Sequence, residues 1–300
     1  MKKIVFFNQF HNGDCFVGKS YVKAIVGAFP GVEFEYAHLN HPDIIKDLPV
    51  KYVPLETLPH ITHMTRIAES ENKDTIYINT WVGCWQGALF PHGEHINNQR
   101  LHTIWAKYFE YLGLTFGDQS MYLPTIDFSK YDTKAADAFV QETKARNEQI
   151  VIFCNGSANS GQSGVGDFRT VIAKLALEFP HKRFLLTSHI DGLTAPNIYY
   201  VNDLIRIDSN INQIAYISQF SELIVGKNSG PFTWCQFRDN LMDPDRTFFN
   251  FSVLPTDCPT GGSKYIARCL YSPVTDENRI HELIRGVLIN PQYRGTEYLV

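Results

Sequence analysis

The chain has 300 residues, about twice the usual length of one domain. With 44% of them apolar and 19% charged, a disordered chain is excluded and two globular domains are expected. Twenty-seven Lys and Arg against 31 Asp and Glu give a net charge of −4 with no basic run, which excludes an electrostatically driven nucleic-acid binder. The apolar stretch after Lys2-Lys3 is too short for a signal-peptide core, and nowhere do 18 apolar residues run together. The cysteines at 15, 84, 154, 235, 258 and 269 form no CxxC pair, so reduced thiols in a cytoplasmic protein are expected. Aromatics are in excess, with 21 Phe, 15 Tyr and 4 Trp making 13% of the chain.

Short apolar runs alternate with amphipathic stretches, the pattern of α/β units with parallel strands. KIVFFN (3–8) predicts a buried strand, His11-Asn12-Gly13-Asp14 a turn, and 16–29 a helix with Val17, Tyr21, Ala24, Ile25 and Ala28 at helical spacing. Pro30-Gly31 stops that helix, and 32–37 reads as a second strand. Residues 43–75 give no clear reading, DTIYIN (74–79) reads as a strand, and 97–112 reads as a long helix. A charged helical segment over 131–148 precedes a fresh strand, QIVIFCN (149–155), where the alternation restarts.

Thereafter a Gly/Ser-rich loop (156–166) leads to a helix over 167–179, a strand over 183–187 ending in Ser188-His189, and a short strand over 199–202. A helix (212–220), a strand (223–226), the turn Asn228-Ser229-Gly230-Pro231-Phe232 into another helix, a strand (247–251) and a terminal helix (276–289) complete the chain. The join is expected at 147, giving domains 1–147 and 148–300, with the terminal helix packing back on the first.

In open α/β sheets ligands sit beyond the carboxyl ends of the strands, in the loops that enter helices. The loop from Asn155, Gly156 and Ser157 to Gly164 has small residues that let a backbone approach a phosphate, and it is neither a P-loop nor GxGxxG. It reads either as an anion cradle or as a surface loop. Gly226-Lys227-Asn228-Ser229-Gly230-Pro231-Phe232 ends a buried strand and places Pro at a helix start; Asn228 or Ser229 can cap that helix and still leave N–H groups for an anion. Asp14 reads either as a helix cap or as a base, with His11 as a second base candidate. Trp81, Trp85, His92, Glu94 and His95 could stack on and bond a sugar, or pack as a loop; HxxH without a third spaced ligand is weak evidence for a metal.

The stretch Asn12-Gly13-Asp14 through Ala24-Ile25 to Phe29-Pro30 resembles the "GD…P…A(L/I)…FP" opening of the heptosyltransferase-like glycosyltransferases of family 9. Ile150 to Ser157 resembles the start of their donor domain, and Ile214-Ala215-Tyr216-Ile217 followed by Leu223 to Pro231 resembles their "LA.li..a.l.vg.dSGp.h.a" segment. The resemblance implies an α/β fold of the GT-B type, two Rossmann-like domains with parallel sheets facing a central cleft. It implies an inverting glycosyltransferase that needs no metal or other cofactor and moves a sugar from a nucleotide-sugar donor to a glycan or lipid-linked saccharide. A role in cell-surface polysaccharide biosynthesis follows from it, with membrane contact at most peripheral.

On this reading Asp14 is the base and His11 its alternative. Gly13, Asn155, Gly156, Ser157, Ser188, His189, Lys227, Asn228, Ser229, Gly230, Pro231 and Phe232 bind the donor. Trp81, Trp85, His92 and His95 bind the acceptor. Asn228 stands where the family usually has Asp and Thr233 where it has His, which leaves the transferred sugar open between hexose and heptose. The rival readings are a catalytically silent nucleotide or carbohydrate binder and a sugar-nucleotide epimerase on the same architecture.

Overall fold

A computed structural model describes residues 1–59, 61–91, 98–157, 163–227, 229–252 and 265–290. The chain divides into two compact units, with the division in the described chain between Tyr131 and Asp132. The helix around 140, which the sequence places before a join at 147, therefore groups with the second unit.

In the first unit β1 (Lys3–Asn8), α1 (Asn12–Ala28), β2 (Glu33–His38), β3 (Lys51–Pro54), β4 (Ile67–Glu69), β5 (Thr75–Asn79) and α2 (Asn98–Tyr111) follow one another. Their sheet runs β3-β2-β1-β5-β4. Its pairings are parallel except for β4 against β5. Central β1 carries the run Ile4-Val5-Phe6-Phe7, buried on both faces, as a parallel strand flanked by layers on both sides requires. Helix α1 begins four residues before the predicted start, because His11 takes extended N-cap geometry and Asn12-Gly13-Asp14 form the first turn. An acidic residue in that turn complements the positive end of the helix.

Much of the aromatic excess is spent here. Tyr21 stacks on Trp105 (centroids 4.9 Å, 4°) and on Tyr122 (4.5 Å, 13°), and Phe116 lies 5.0 Å from Tyr122. Below them Asp47, fully buried, pairs with the equally buried Lys19. It also accepts from the Tyr131 hydroxyl (2.9 Å) and the Asp127 N–H (3.2 Å).

The second unit contains α3 (Lys134–Ala145), β6 (Gln149–Cys154), α4 (Arg169–Glu178), β7 (Lys182–Leu186), β8 (Ile198–Tyr200), α5 (Val201–Leu204) and α6 (Ile211–Ser218). β9 (Ser221–Gly226), α7 (Gly230–Trp234), α8 (Arg238–Leu241), β10 (Thr247–Phe251), β11 (Arg268–Ser272) and α9 (Glu277–Ile289) follow. The sheet is β11-β10-β9-β6-β7-β8, parallel throughout. One face is covered by α4 and α9, whose Ile172, Leu175, Ile280 and Ile284 bury against Phe153, Phe184, Val225 and Phe249. A fully buried side chain of this size contributes about 1.5–3 kcal/mol relative to exposure. The apolar stripe of the terminal helix α9 thus belongs to the core of the second unit. Among the described residues no helix is long and apolar enough to cross a membrane.

Candidate active site

Both sheets end their parallel strands at a carboxyl edge, and the chemistry-bearing residues collect at those edges. In the first unit β1 ends at Asn8, β2 at His38 and β5 at Asn79. Asp14 stands in the first turn of α1. Burial pushes its carboxyl up to about 6, while the His11 ring and the Asp14 and His11 backbone N–H groups pull it part of the way back. The carboxyl therefore titrates near neutral pH, in the range suited to a general base. His11 is exposed and makes no side-chain cap bond; Gly13 follows it in the first turn.

A buried polar chain backs this turn. The Tyr36 hydroxyl lies 2.5 Å from Thr80 Oγ1, and Asn8 Nδ2 donates to the same oxygen at 3.2 Å. Asn8 Oδ1 accepts from the Phe10 N–H at 2.8 Å, fixing the chain between β1 and α1. Cys15 is buried beside Tyr36, and desolvation pushes its thiol up to about 12, so it is an inert packing thiol.

Trp81 comes to the same edge. Its ring lies 4.1 Å from Phe10 and 5.8 Å from His63, and Phe10 is 6.2 Å from His11. Gly83 leaves room for that ring, since a Cβ there would overlap it. Trp85 is held elsewhere: its indole N–H donates to the Tyr108 hydroxyl (2.8 Å), and the Arg66 guanidinium stands 5.2 Å over its ring. The structure therefore brings Trp81, and not Trp85, into the Phe10–His11 aromatic group. His92, Glu94 and His95 lie outside the described residues. Among the described residues no group of three or more His, Cys, Asp or Glu is placed to hold a metal ion.

In the second unit Asn155 is not a free ligand. Its Nδ2 donates to the Ser188 carbonyl and its Oδ1 accepts from the Ser188 N–H, both at 2.9 Å. It thus clamps the end of β6 to the end of β7 and sets the spacing of two loops. At Gly156 a Cβ would come 2.7 Å from Ser188 Oγ, so the glycine permits that approach. Ser157 is exposed. His189 is exposed, with its ring 4.5 Å from Tyr200 and its Nε2 3.5 Å from the Asp191 carboxylate.

Lys227, nearly buried, donates to the carbonyls of Gly166 (2.9 Å) and Val165 (3.3 Å), and burial lowers its pKa. Arg169, in the first turn of α4, donates to the Asp191 carbonyl at 2.7 Å.

Ser229 is the N-cap of α7 with Gly230 and Pro231 behind it, yet its buried hydroxyl makes no cap bond and has no partner among the described residues. Asn228 lies outside the described residues. Phe232 is fully buried, packing on Phe248 and leaving no space for a Cβ at Gly226. Its ring is therefore packed in the core of the second unit.

Two parallel α/β units of this order define the GT-B architecture, and solved structures share it. The ADP-heptose LPS heptosyltransferase II of E. coli is similar at a TM-score of 0.56 and 12% identity, over 97% of this chain and 99% of that one. The E. coli heptosyltransferase WaaC with ADP is similar at 0.53 and 12%, over 96% and 98%. The S. aureus MnaA-UDP co-structure is similar at 0.51 and 10%, over 98% and 89%. No family model and no curated protein matches the chain. The fold is thus a heptosyltransferase-like GT-B fold.

Proposed function

We propose that the protein is a glycosyltransferase of the inverting, metal-independent type, hexosyl or heptosyl, moving a sugar from a nucleotide donor to a saccharide or lipid-linked saccharide. The observation that carries this reading is Asp14: a carboxyl in the first turn of α1, at the carboxyl edge of a parallel sheet, with its pKa raised to about 6. The fold supports it, as do the ADP and UDP named with two of the similar structures.

In the reaction the acceptor oxygen attacks the anomeric carbon as its proton passes to Asp14. The carbon–oxygen bond to the nucleoside diphosphate breaks, and the leaving group departs with the electron pair. General-base assistance of this kind is worth about 10²–10⁴ in rate. The diphosphate is assigned to the second unit, at the loop around Gly156, Ser157 and Ser188 and the turn from Lys227 to Pro231, where backbone N–H groups meet its charge. Trp81 is assigned to the acceptor side, and the first unit to acceptor binding.

Incubation with UDP-, GDP-, ADP- and dTDP-sugars, each with a set of saccharide acceptors, tests the reading by nucleoside diphosphate release. Acceptor-dependent release with one donor is expected. Binding of nucleotide with no release from any donor would support the silent binder instead, and donor conversion without acceptor the epimerase.

A further inference from the structure

In the second unit three strands end level with one another. Gly226, the last residue of β9, is in register with Cys154 of β6 on one side and with Asn250 of β10 on the other. Lys227 comes next and is 5% exposed. Its ammonium donates to the carbonyls of Gly166 (2.9 Å) and Val165 (3.3 Å) and pairs with no carboxylate among the described residues. Asp167, on the same segment, acts on it only through space. A buried ammonium is costly unless its charge is matched. Here the charge acts on two main-chain oxygens, and charge-assisted bonds of this kind are stronger than neutral ones.

The segment that Lys227 holds is strained. Phe168, the N-cap of α4, has a φ of 63°. That left-handed conformation is unfavourable for a residue with a side chain and persists only where its surroundings impose it. One constraint is the Phe168 ring, which is 1% exposed and packs on Phe153 and Phe251. A second is Lys227, on the carbonyls just upstream. A third is Ser163, whose hydroxyl donates to the Phe251 carbonyl at 3.0 Å and accepts the Val165 N–H at 3.3 Å. Two polar side chains, one charged and one neutral, thus fasten 163–166 to the ends of β9 and β10.

We infer that Lys227 is a positioning residue: its ammonium holds the segment 165–168 against the end of β9 and so fixes the start of α4 beside the turn that follows β9. The side chain acts through the main chain of that segment, not by touching the donor. The inference rests on the assignment of the nucleoside diphosphate to these loops. It separates the Lys227 side chain, which shapes the site, from the backbone N–H groups that meet the phosphates.

The test uses the full chain, with amide hydrogen exchange on the nucleotide-free protein and calorimetry with UDP, GDP, ADP and dTDP. Lys227→Met removes the ammonium at similar length, and Lys227→Arg restores donors. Ser163→Ala cuts the neutral tie and changes no charge. In the free protein Lys227→Met is expected to speed exchange across 163–168 about tenfold, with β1 and α1 of the first unit unchanged. The nucleotide that the wild type binds best is expected to bind about tenfold more weakly to Lys227→Met, the order of one lost hydrogen bond, and within about threefold of wild type to Lys227→Arg. Ser163→Ala is expected to move exchange and affinity in the same directions as Lys227→Met.

Wild-type exchange in nucleotide-free Lys227→Met would overturn the inference. So would a loss of affinity in Lys227→Met that Ser163→Ala does not share, the pattern of a charge that touches the donor. Faster exchange with unchanged affinity would overturn it as well, since the tie would then do nothing for the donor. Each of these outcomes leaves the glycosyltransferase reading standing, because the wild type still binds nucleotide. A wild type that binds none of the four nucleotides would defeat that reading and the positioning role with it.

Discussion

Asp14→Asn is expected to make the protein more stable at neutral pH and to leave it unchanged in acid. The folded carboxyl titrates at about 6 against an ordinary value of 3.8, so folding favours its protonated form. Its contribution is intact below pH 4, falls as the pH rises from 4 to 6, and stays low above 6. Two pH units at about 1.4 kcal/mol each set the cost of the ionised group at about 2–3 kcal/mol above pH 6. Asparagine keeps the shape and removes the charge. Urea unfolding followed by tryptophan fluorescence reads the effect, since Trp81, Trp85 and Trp105 lie in the first unit. The expected result is a gain of about 2 kcal/mol at pH 7.5 and none at pH 4. Equal stabilities at both pH values, or a less stable variant at pH 7.5, would refute a desolvated carboxyl.

Two further substitutions probe the frame that holds the site. Asp47→Asn strips the buried Lys19 of its counter-ion and is expected to cost about 3–5 kcal/mol in urea unfolding at pH 7; a loss below about 1 kcal/mol would show that Lys19 is neutral or hydrated. Asn155→Ala removes both bonds to Ser188 and is expected to cost about 1–3 kcal/mol and to weaken nucleotide binding in calorimetry. Unchanged stability would mean that the β6–β7 clamp is dispensable.

The central strands were legible because burial on both faces leaves unbroken apolar runs: KIVFFN and TFFNF mark β1 and β10 at their observed bounds. Of the edge strands, β8 was read in part and the other three were not. β4 has three residues, β3 ends in Pro54, and β11 opens on Arg268 with only Cys269, Leu270 and Tyr271 as an apolar run, too little for a period to show. The start of α1 was hidden because Asn12-Gly13 reads as a turn, whereas in a first turn, where N–H groups have no intrahelical partner anyway, both residues are tolerated.

Asp14 could be singled out from its neighbours in sequence. The clamp role of Asn155 could not, since Ser188 is 33 residues away and meets it only through the β6–β7 pairing. His38 gave no signal at all: one histidine in EFEYAH is ordinary, and only the fold buries its ring and sets its Nδ1 against the Asn40 N–H. The 81–105 aromatics divide by packing, with Trp105 sealed against Tyr21 and Trp81 left at the sheet edge.

The most direct measurement is the pH dependence of acceptor-dependent nucleoside diphosphate release, in the wild type and in Asp14→Asn, with the donor that the nucleotide-sugar panel selects. The wild-type rate should rise about tenfold per pH unit below 6 and level off above it, as the carboxyl near 6 becomes the base. Asp14→Asn should lose a factor of about 10²–10⁴ and the inflection with it. A flat wild-type profile through pH 6, or wild-type turnover in Asp14→Asn, would contradict Asp14 as the base.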